Sequence, residues 1–93
     1  MPKLMNISEL DTTTTKEYYL LFTSPYCSPC KMIKQQIDKF TQNNKVYTVD
    51  IIEDNNNLVN KYDVRQVPTL IHIKDKNNTK YVSFNDILEI IKQ

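Results

Sequence analysis

No glycine occurs among the 93 residues, and no tryptophan. Without glycine, any position that needs a positive backbone φ falls to the next-best residue, asparagine. Asn43-Asn44, at the expected end of a helix, and Asn77-Asn78, between two expected strands, are the candidates. Long apolar runs are missing too. None approaches the roughly 18 residues that a membrane span requires. Met1 to Asp11 holds no apolar stretch of the kind that directs export, so a cytoplasmic protein is expected. Charge of one sign is not in excess. A formal net charge of +1, with lysines scattered among acids, gives no electrostatic footprint for nucleic acid or a membrane surface. Metal ligands are few: two cysteines and one histidine, His72, which lies within an apolar strand pattern. A structural zinc site takes four protein ligands, so no metal is expected.

What remains is an ordinary globular composition, 40% hydrophobic and 25% charged, enough for one modest core. No linker, repeat or low-complexity segment divides residues 1–93, which read as one domain. Lys3 to Ile7 is a weak strand candidate. Ser8 could cap a short helix through Leu10, and Thr12 to Thr15 favours turn or extended chain. Lys16 to Phe22, Lys45 to Asp50 and Thr69 to Lys74 read as strands. Lys80 to Val82 is a shorter one across the Asn77-Asn78 turn. Between them, Cys30 to Thr41 reads as a helix with its apolar stripe at Ile33, Ile37 and Phe40, Met32 nearby. Asp54 is a plausible N-cap for a short helix to about Tyr62. Ser83, with Asp86 three residues on, starts a last helix whose apolar face is Ile87, Leu88, Ile90 and Ile91. The order β-α-β-α-β-α-β-β-α predicts an α/β domain, a mixed sheet with helices on both faces.

Both cysteines lie in one stretch, Tyr26-Cys27-Ser28-Pro29-Cys30-Lys31, at the end of the buried strand Tyr18 to Phe22 and the opening of the helix. Two thiols two residues apart can close and reopen a disulfide with little backbone motion, and so can carry two electrons. In a cytoplasmic protein a cysteine pair is more often catalytic or metal-binding than structural. A static disulfide is the bland alternative.

Cys27-Ser28-Pro29-Cys30-Lys31-Met32-Ile33 resembles the active-site helix of the thioredoxin family, with Ser28 where glycine is usual. Some forty residues on, Tyr62-Asp63-Val64-Arg65-Gln66-Val67-Pro68-Thr69-Leu70 resembles that family's approach to its cis-proline and next strand. The resemblance implies the thioredoxin fold: a central mixed sheet of four to five strands flanked by helices, the first helix shortened to about a turn. It also implies a protein-disulfide reductase without a cofactor, its working group being the Cys27–Cys30 disulfide. Cys27, at the helix N-cap, would be the nucleophile, because converging N–H groups and the helix dipole favour its thiolate. Cys30, a turn further in, would be the resolving thiol. Pro29 suits the first helical turn, where its missing N–H costs nothing. The backbone of Val67, before a cis Pro68, would pair with an extended substrate, and Tyr26 and Val67 would form an apolar docking rim. Protein disulfides as substrates, a thioredoxin reductase or similar electron donor, and a monomeric state follow from the same resemblance.

The departures matter. Tyr26 replaces the usual tryptophan. Leu21, six residues before Cys27, replaces a buried aspartate that accepts the resolving thiol's proton. Val46 replaces the lysine that accompanies it, so no isolated buried charge remains. Lys80 or a neighbour stands for a glycine lining the docking groove, which narrows the groove or sets a cation beside it. Two alternatives stay open. A glutaredoxin-like reductase would use glutathione, but its glutathione-holding glycine pair has no match here. A non-catalytic thioredoxin-fold binding module would leave the cysteines incidental. His72 and the tyrosines Tyr18, Tyr19, Tyr47 and Tyr62 are expected to pack in and across strands.

Overall fold

The computed structural model describes residues 3–4 and 16–92. The expected helix at Ser8 to Leu10, the Thr12 to Thr15 segment and most of the first strand candidate lie outside them. Among the described residues four strands form one sheet: β1 (Glu17–Thr23), β2 (Val46–Asp50), β3 (Thr69–Lys74) and β4 (Asn77–Tyr81), in the order β2-β1-β3-β4. β1 runs parallel to β2 and antiparallel to β3, and β3 runs antiparallel to β4. Outside β2, Lys3 bridges Thr48 in parallel, and the Leu4 amide donates to the Thr48 carbonyl at 2.7 Å.

β1 is central and reads as nearly continuous apolar sequence because both of its faces are covered. Strand period sends Tyr18, Leu20 and Phe22 to one face, where they pack with Val49, Leu58, Val64, Ile71 and Ile73. Tyr19 and Leu21 face the other way, toward Ile33, Ile37, Phe40, Val46, Leu70, Ile87 and Ile91. Leu20, Leu21 and Phe22 are wholly buried, each worth about 1.5–3 kcal/mol of transfer free energy. The helices divide accordingly. α1 (Ser28–Gln36), α2 (Asp38–Asn43) and α4 (Phe84–Ile91) bring their buried residues to the Leu21 face, and α3 (Asn57–Lys61) brings Leu58 to the Phe22 face.

Several local expectations change. The helix expected from Cys30 to Thr41 begins at Ser28 and is broken at Ile37, which ends α1 and precedes α2. Its apolar stripe holds through the break: Ile33, Ile37 and Phe40 are all buried, while Met32 lies half exposed. The stripe predicts which residues face the sheet, and it is indifferent to whether the backbone is continuous between them. The fourth strand is Asn77–Tyr81, so Asn77-Asn78 are ladder residues and the turn falls at Asp75-Lys76. Asn44 closes α2 in extended conformation at φ −137°, with its side-chain amide donating to the Phe40 carbonyl at 3.0 Å. Among the described residues the positive-φ positions are Asn55, Asn56, Asp63 and Asp75. Asparagine and aspartate, whose short polar side chains tolerate left-handed backbone, do take glycine's place, but elsewhere than at the two expected pairs.

Asp54 stands before the helix it was expected to cap, and Asn56 is the N-cap by backbone position. Asp54 nevertheless performs the chemistry of a cap. Its two carboxylate oxygens accept from the Leu58 and Val59 amides at 3.0 and 2.9 Å. Ser83 caps α4 as expected, its hydroxyl accepting from the Asp86 amide at 3.0 Å.

Candidate active site

β1 ends at Thr23, and a turn closes behind it. The Tyr26 amide donates to the Ser24 hydroxyl at 3.2 Å and the Cys27 amide to the Ser24 carbonyl at 3.1 Å. This turn delivers Cys27 to the N-cap of α1 with extended backbone, φ −101° and ψ 107°. Its sulfur accepts from the Cys30 amide at 3.2 Å, so the thiol side chain occupies the place a serine or aspartate takes in ordinary helix caps. A sulfur held there faces amides that helical bonding leaves open, a setting that favours the thiolate once the disulfide is reduced. Pro29 falls in the first turn, where it removes no helical bond.

Cys27 and Cys30 form a disulfide, with Cα atoms 5.3 Å apart. Cys27 is 9% exposed and Cys30 1%, so both are buried and the first is the less deeply so. That asymmetry suits one cysteine to meet an incoming disulfide and the other to act from behind it. Tyr26, 87% exposed, and Pro29 stand free beside the pair.

Register places Pro68 at the same end of the sheet. Phe22 pairs with Thr69 across β1 and β3, so β1 leaves the sheet toward Cys27 where β3 enters it from Pro68. The Val67–Pro68 peptide is cis and Pro68 is buried. Val67 is half buried, packed against the Phe22 cluster. It also lines a half-open groove of about 330 Å³ with Ile51, Val59, Val64 and the polar side chains of Asn56, Arg65 and Gln66. Thr69, wholly buried, donates its hydroxyl to the Gln66 carbonyl at 2.6 Å and fixes the entry to β3.

Position 21, six residues before Cys27, holds a leucine and not an acid. Leu21 is fully buried among aliphatic residues and Phe40, and Val46 belongs to the same cluster. Among the described residues no three His, Cys, Asp or Glu side chains converge as a metal site. His72 is a β3 residue stacked on Tyr19, ring centroids 4.3 Å apart, with Nε2 3.2 Å from Glu17 Oε2. The other tyrosines pack as expected: Tyr18 lies edge-on to Tyr47 and Tyr62 to Phe22.

Lys80 does not stand free beside the groove. Its ammonium donates to the Asp63 carbonyl at 2.9 Å. Gln66 Nε2 donates to the Val82 carbonyl at 3.1 Å, a contact that sequence reasoning did not reach. Only the resemblance of the surrounding segment draws attention to position 66, and its partner lies sixteen residues away.

The thioredoxin family model matches residues 6–93. Thioredoxin 2 of Plasmodium falciparum (isolate 3D7) is 28% identical over 81 residues, covering 80% of this chain and 52% of that protein. Thioredoxin of Bacillus subtilis (strain 168) is 34% identical over 58 residues, covering 58% of this chain and 55% of that one. The chain thus spans about half the length of the curated relatives it matches. Among solved structures, oxidised mitochondrial thioredoxin 3 of Saccharomyces cerevisiae superposes with a TM-score of 0.81 at 22% identity, covering 99% of this chain and 93% of that one. Fasciola hepatica thioredoxin gives 0.79 at 20% identity, covering 99% and 97%. At such identities the likeness is one of fold.

Proposed function

This chain belongs to the thioredoxin family and has its fold, and on that premise we propose that it is a thiol–disulfide oxidoreductase that reduces protein disulfides. The observation that carries the reading is the Cys27–Cys30 disulfide at the N-cap of α1, with Cys27 less deeply buried than Cys30.

In the reduced form, the Cys27 thiolate attacks one sulfur of a substrate disulfide. A Cys27–substrate disulfide forms, and the substrate's other sulfur leaves as a thiolate and takes a proton. Cys30 then loses its proton and attacks Cys27 Sγ, which releases the second substrate thiolate. Two electrons pass to the substrate, and the enzyme is left with the Cys27–Cys30 bond seen here. The substrate segment lies extended along the Val67 backbone, before Pro68, with Tyr26 and Val67 as its apolar rim and Pro29 beside them. Turnover needs an external dithiol donor, a thioredoxin reductase or a similar enzyme, and no cofactor of the chain's own. We place the protein in the cytoplasm as a monomer.

Reduction of insulin with dithiothreitol as donor tests the reading. The wild-type chain accelerates it and Cys27→Ser does not, while keeping the fold by circular dichroism. Full activity of Cys27→Ser would overturn the assignment. A redox titration in glutathione buffer gives the direction: a potential near about −270 mV fits a reductant, and one near about −120 mV an oxidant.

A further inference from the structure

The loop from Asp63 to Pro68 joins α3 to β3 and carries Val67. Its two ends are held locally. The Val64 amide donates to the Val59 carbonyl at 2.9 Å, and Thr69 grips the Gln66 carbonyl. Two further bonds tie the loop to other elements. Lys80, near the end of β4, donates to the Asp63 carbonyl, and Gln66 donates to the Val82 carbonyl just before α4. The orientation of the Gln66 amide follows from its partner: a carbonyl only accepts, so Nε2 must face it. Gln66 also lines the groove together with Val67. Gln66 therefore joins the groove that holds Val67 to an anchor on the far side, the Val82 carbonyl.

We propose that Gln66 is a positioning residue for protein-disulfide substrates: pinned to Val82 and seconded by the Lys80–Asp63 bond, it holds the Val67 edge in the geometry that an incoming extended segment pairs with. The inference rests on the reading of the Cys27–Cys30 pair as a protein-disulfide reductase with Val67 as docking edge. A loop already ordered spares the substrate the entropy of ordering it, so the tether acts on binding. It touches neither sulfur and leaves the chemical step alone. Its effect should fall on KM.

The test is steady-state insulin reduction by four proteins: wild type, Gln66→Met, Gln66→Arg and Lys80→Met. Methionine keeps the length of the stem and removes the donor, and arginine restores N–H groups. Gln66→Met should raise KM about three- to tenfold, the scale of one lost hydrogen bond, with kcat within about twofold. Gln66→Arg should regain most of that loss, and Lys80→Met should raise KM in the same direction. An unchanged KM in Gln66→Met, a fall in kcat alone, or no recovery in Gln66→Arg overturns the proposal. Should Gln66→Met fail to fold, Lys80→Met decides by the same KM criterion. Reduction of hydroxyethyl disulfide by the wild type separates the two levels. Wild type active on this small disulfide but without saturable insulin reduction sinks the docking reading and the tether with it. Wild type active on both, with Gln66→Met indistinguishable from it, sinks the tether alone.

Discussion

Phe22 lies directly opposite Thr69 in the antiparallel pairing of β1 with β3. That register brings the exit of β1, which leads to Cys27, and the entrance of β3, which follows Pro68, to one end of the sheet. Two motifs some forty residues apart in the sequence thereby become parts of one site. Both partners are fully buried, so a slip of one residue would turn the whole aliphatic pattern of β3 to the wrong face.

Cys30→Ser should trap the substrate. The variant retains Cys27 and forms the mixed disulfide, but nothing remains to displace it. Mass spectrometry after mixing with oxidised insulin should show a covalent adduct of enzyme and insulin, present without added thiol. The double variant Cys27→Ser/Cys30→Ser should show none. Full biological function in the double variant would favour a binding module in place of an enzyme.

The wild type should resolve that adduct slowly and in a pH-dependent way. With Leu21 in an aliphatic cluster in place of the usual aspartate, the Cys30 proton is expected to pass to water or to the substrate. The resolution rate measured by stopped flow should rise with pH through the neutral range. A fast, pH-independent rate would count against this. Leu21→Asp is not a simple repair. With Val46 in the same cluster, the new carboxyl has no cation to pair with and should destabilise the fold by several kcal/mol, on the order expected for an uncompensated buried charge.

Local chemistry was legible in the sequence, and long-range geometry was not. Cys27, Pro68 and Ser83 each carry their meaning within a few residues, as a cap, a strand entrance and a cap. The break at Ile37 leaves no such trace, because the residue stays on the apolar stripe whether or not the helix continues. The turn at Asp75 was hidden by a better-looking Asn77-Asn78. β-sheet register decided between them: Lys74 pairs with Asn77, which leaves only two residues for the turn. The Gln66–Val82 bond joins an exposed glutamine to a backbone carbonyl, and no residue type announces such a partner.

Asp75 offers a direct measure of what the absence of glycine costs. It holds φ at 55° in a turn, where a β-branched residue is disfavoured by about 1–2 kcal/mol. Asp75→Val should lower stability to urea by about that amount. Asp75→Gly should fall within about 0.5 kcal/mol of wild type, since relief in the folded chain is offset by greater freedom in the unfolded one. Equal stability of the valine variant would show that the turn relaxes to another form.

Asp54 is 3% exposed, and both of its oxygens are occupied by amides at the start of α3. Asp54→Ala leaves those two N–H groups without their acceptor beneath Leu58, which is itself fully buried. The expected loss is about 2–4 kcal/mol in urea unfolding, from two charge-assisted bonds and the desolvated amides they satisfied. α3 leads directly into the loop that bears Val67, so hydrogen exchange at Val64 should quicken as well. A loss below about 0.5 kcal/mol would mean that water replaces the carboxylate at little cost.

The alkaline limb of stability should report on Tyr62. Burial first, then the charge and hydrogen bond of Tyr18, pushes its hydroxyl up to about 12, from an ordinary value of 10.0. The folded chain therefore holds this proton more tightly than the unfolded chain does. The stabilisation is fully present below pH 10 and is lost as pH rises from 10 toward 12. Denaturant midpoints should fall across that window, and tyrosinate absorbance should show a late-titrating group. Tyr62→Phe should flatten the decline and remove the late component. A decline of the same steepness in Tyr62→Phe would assign the alkaline loss to other groups, with Tyr19, also raised chiefly by burial, the next to test.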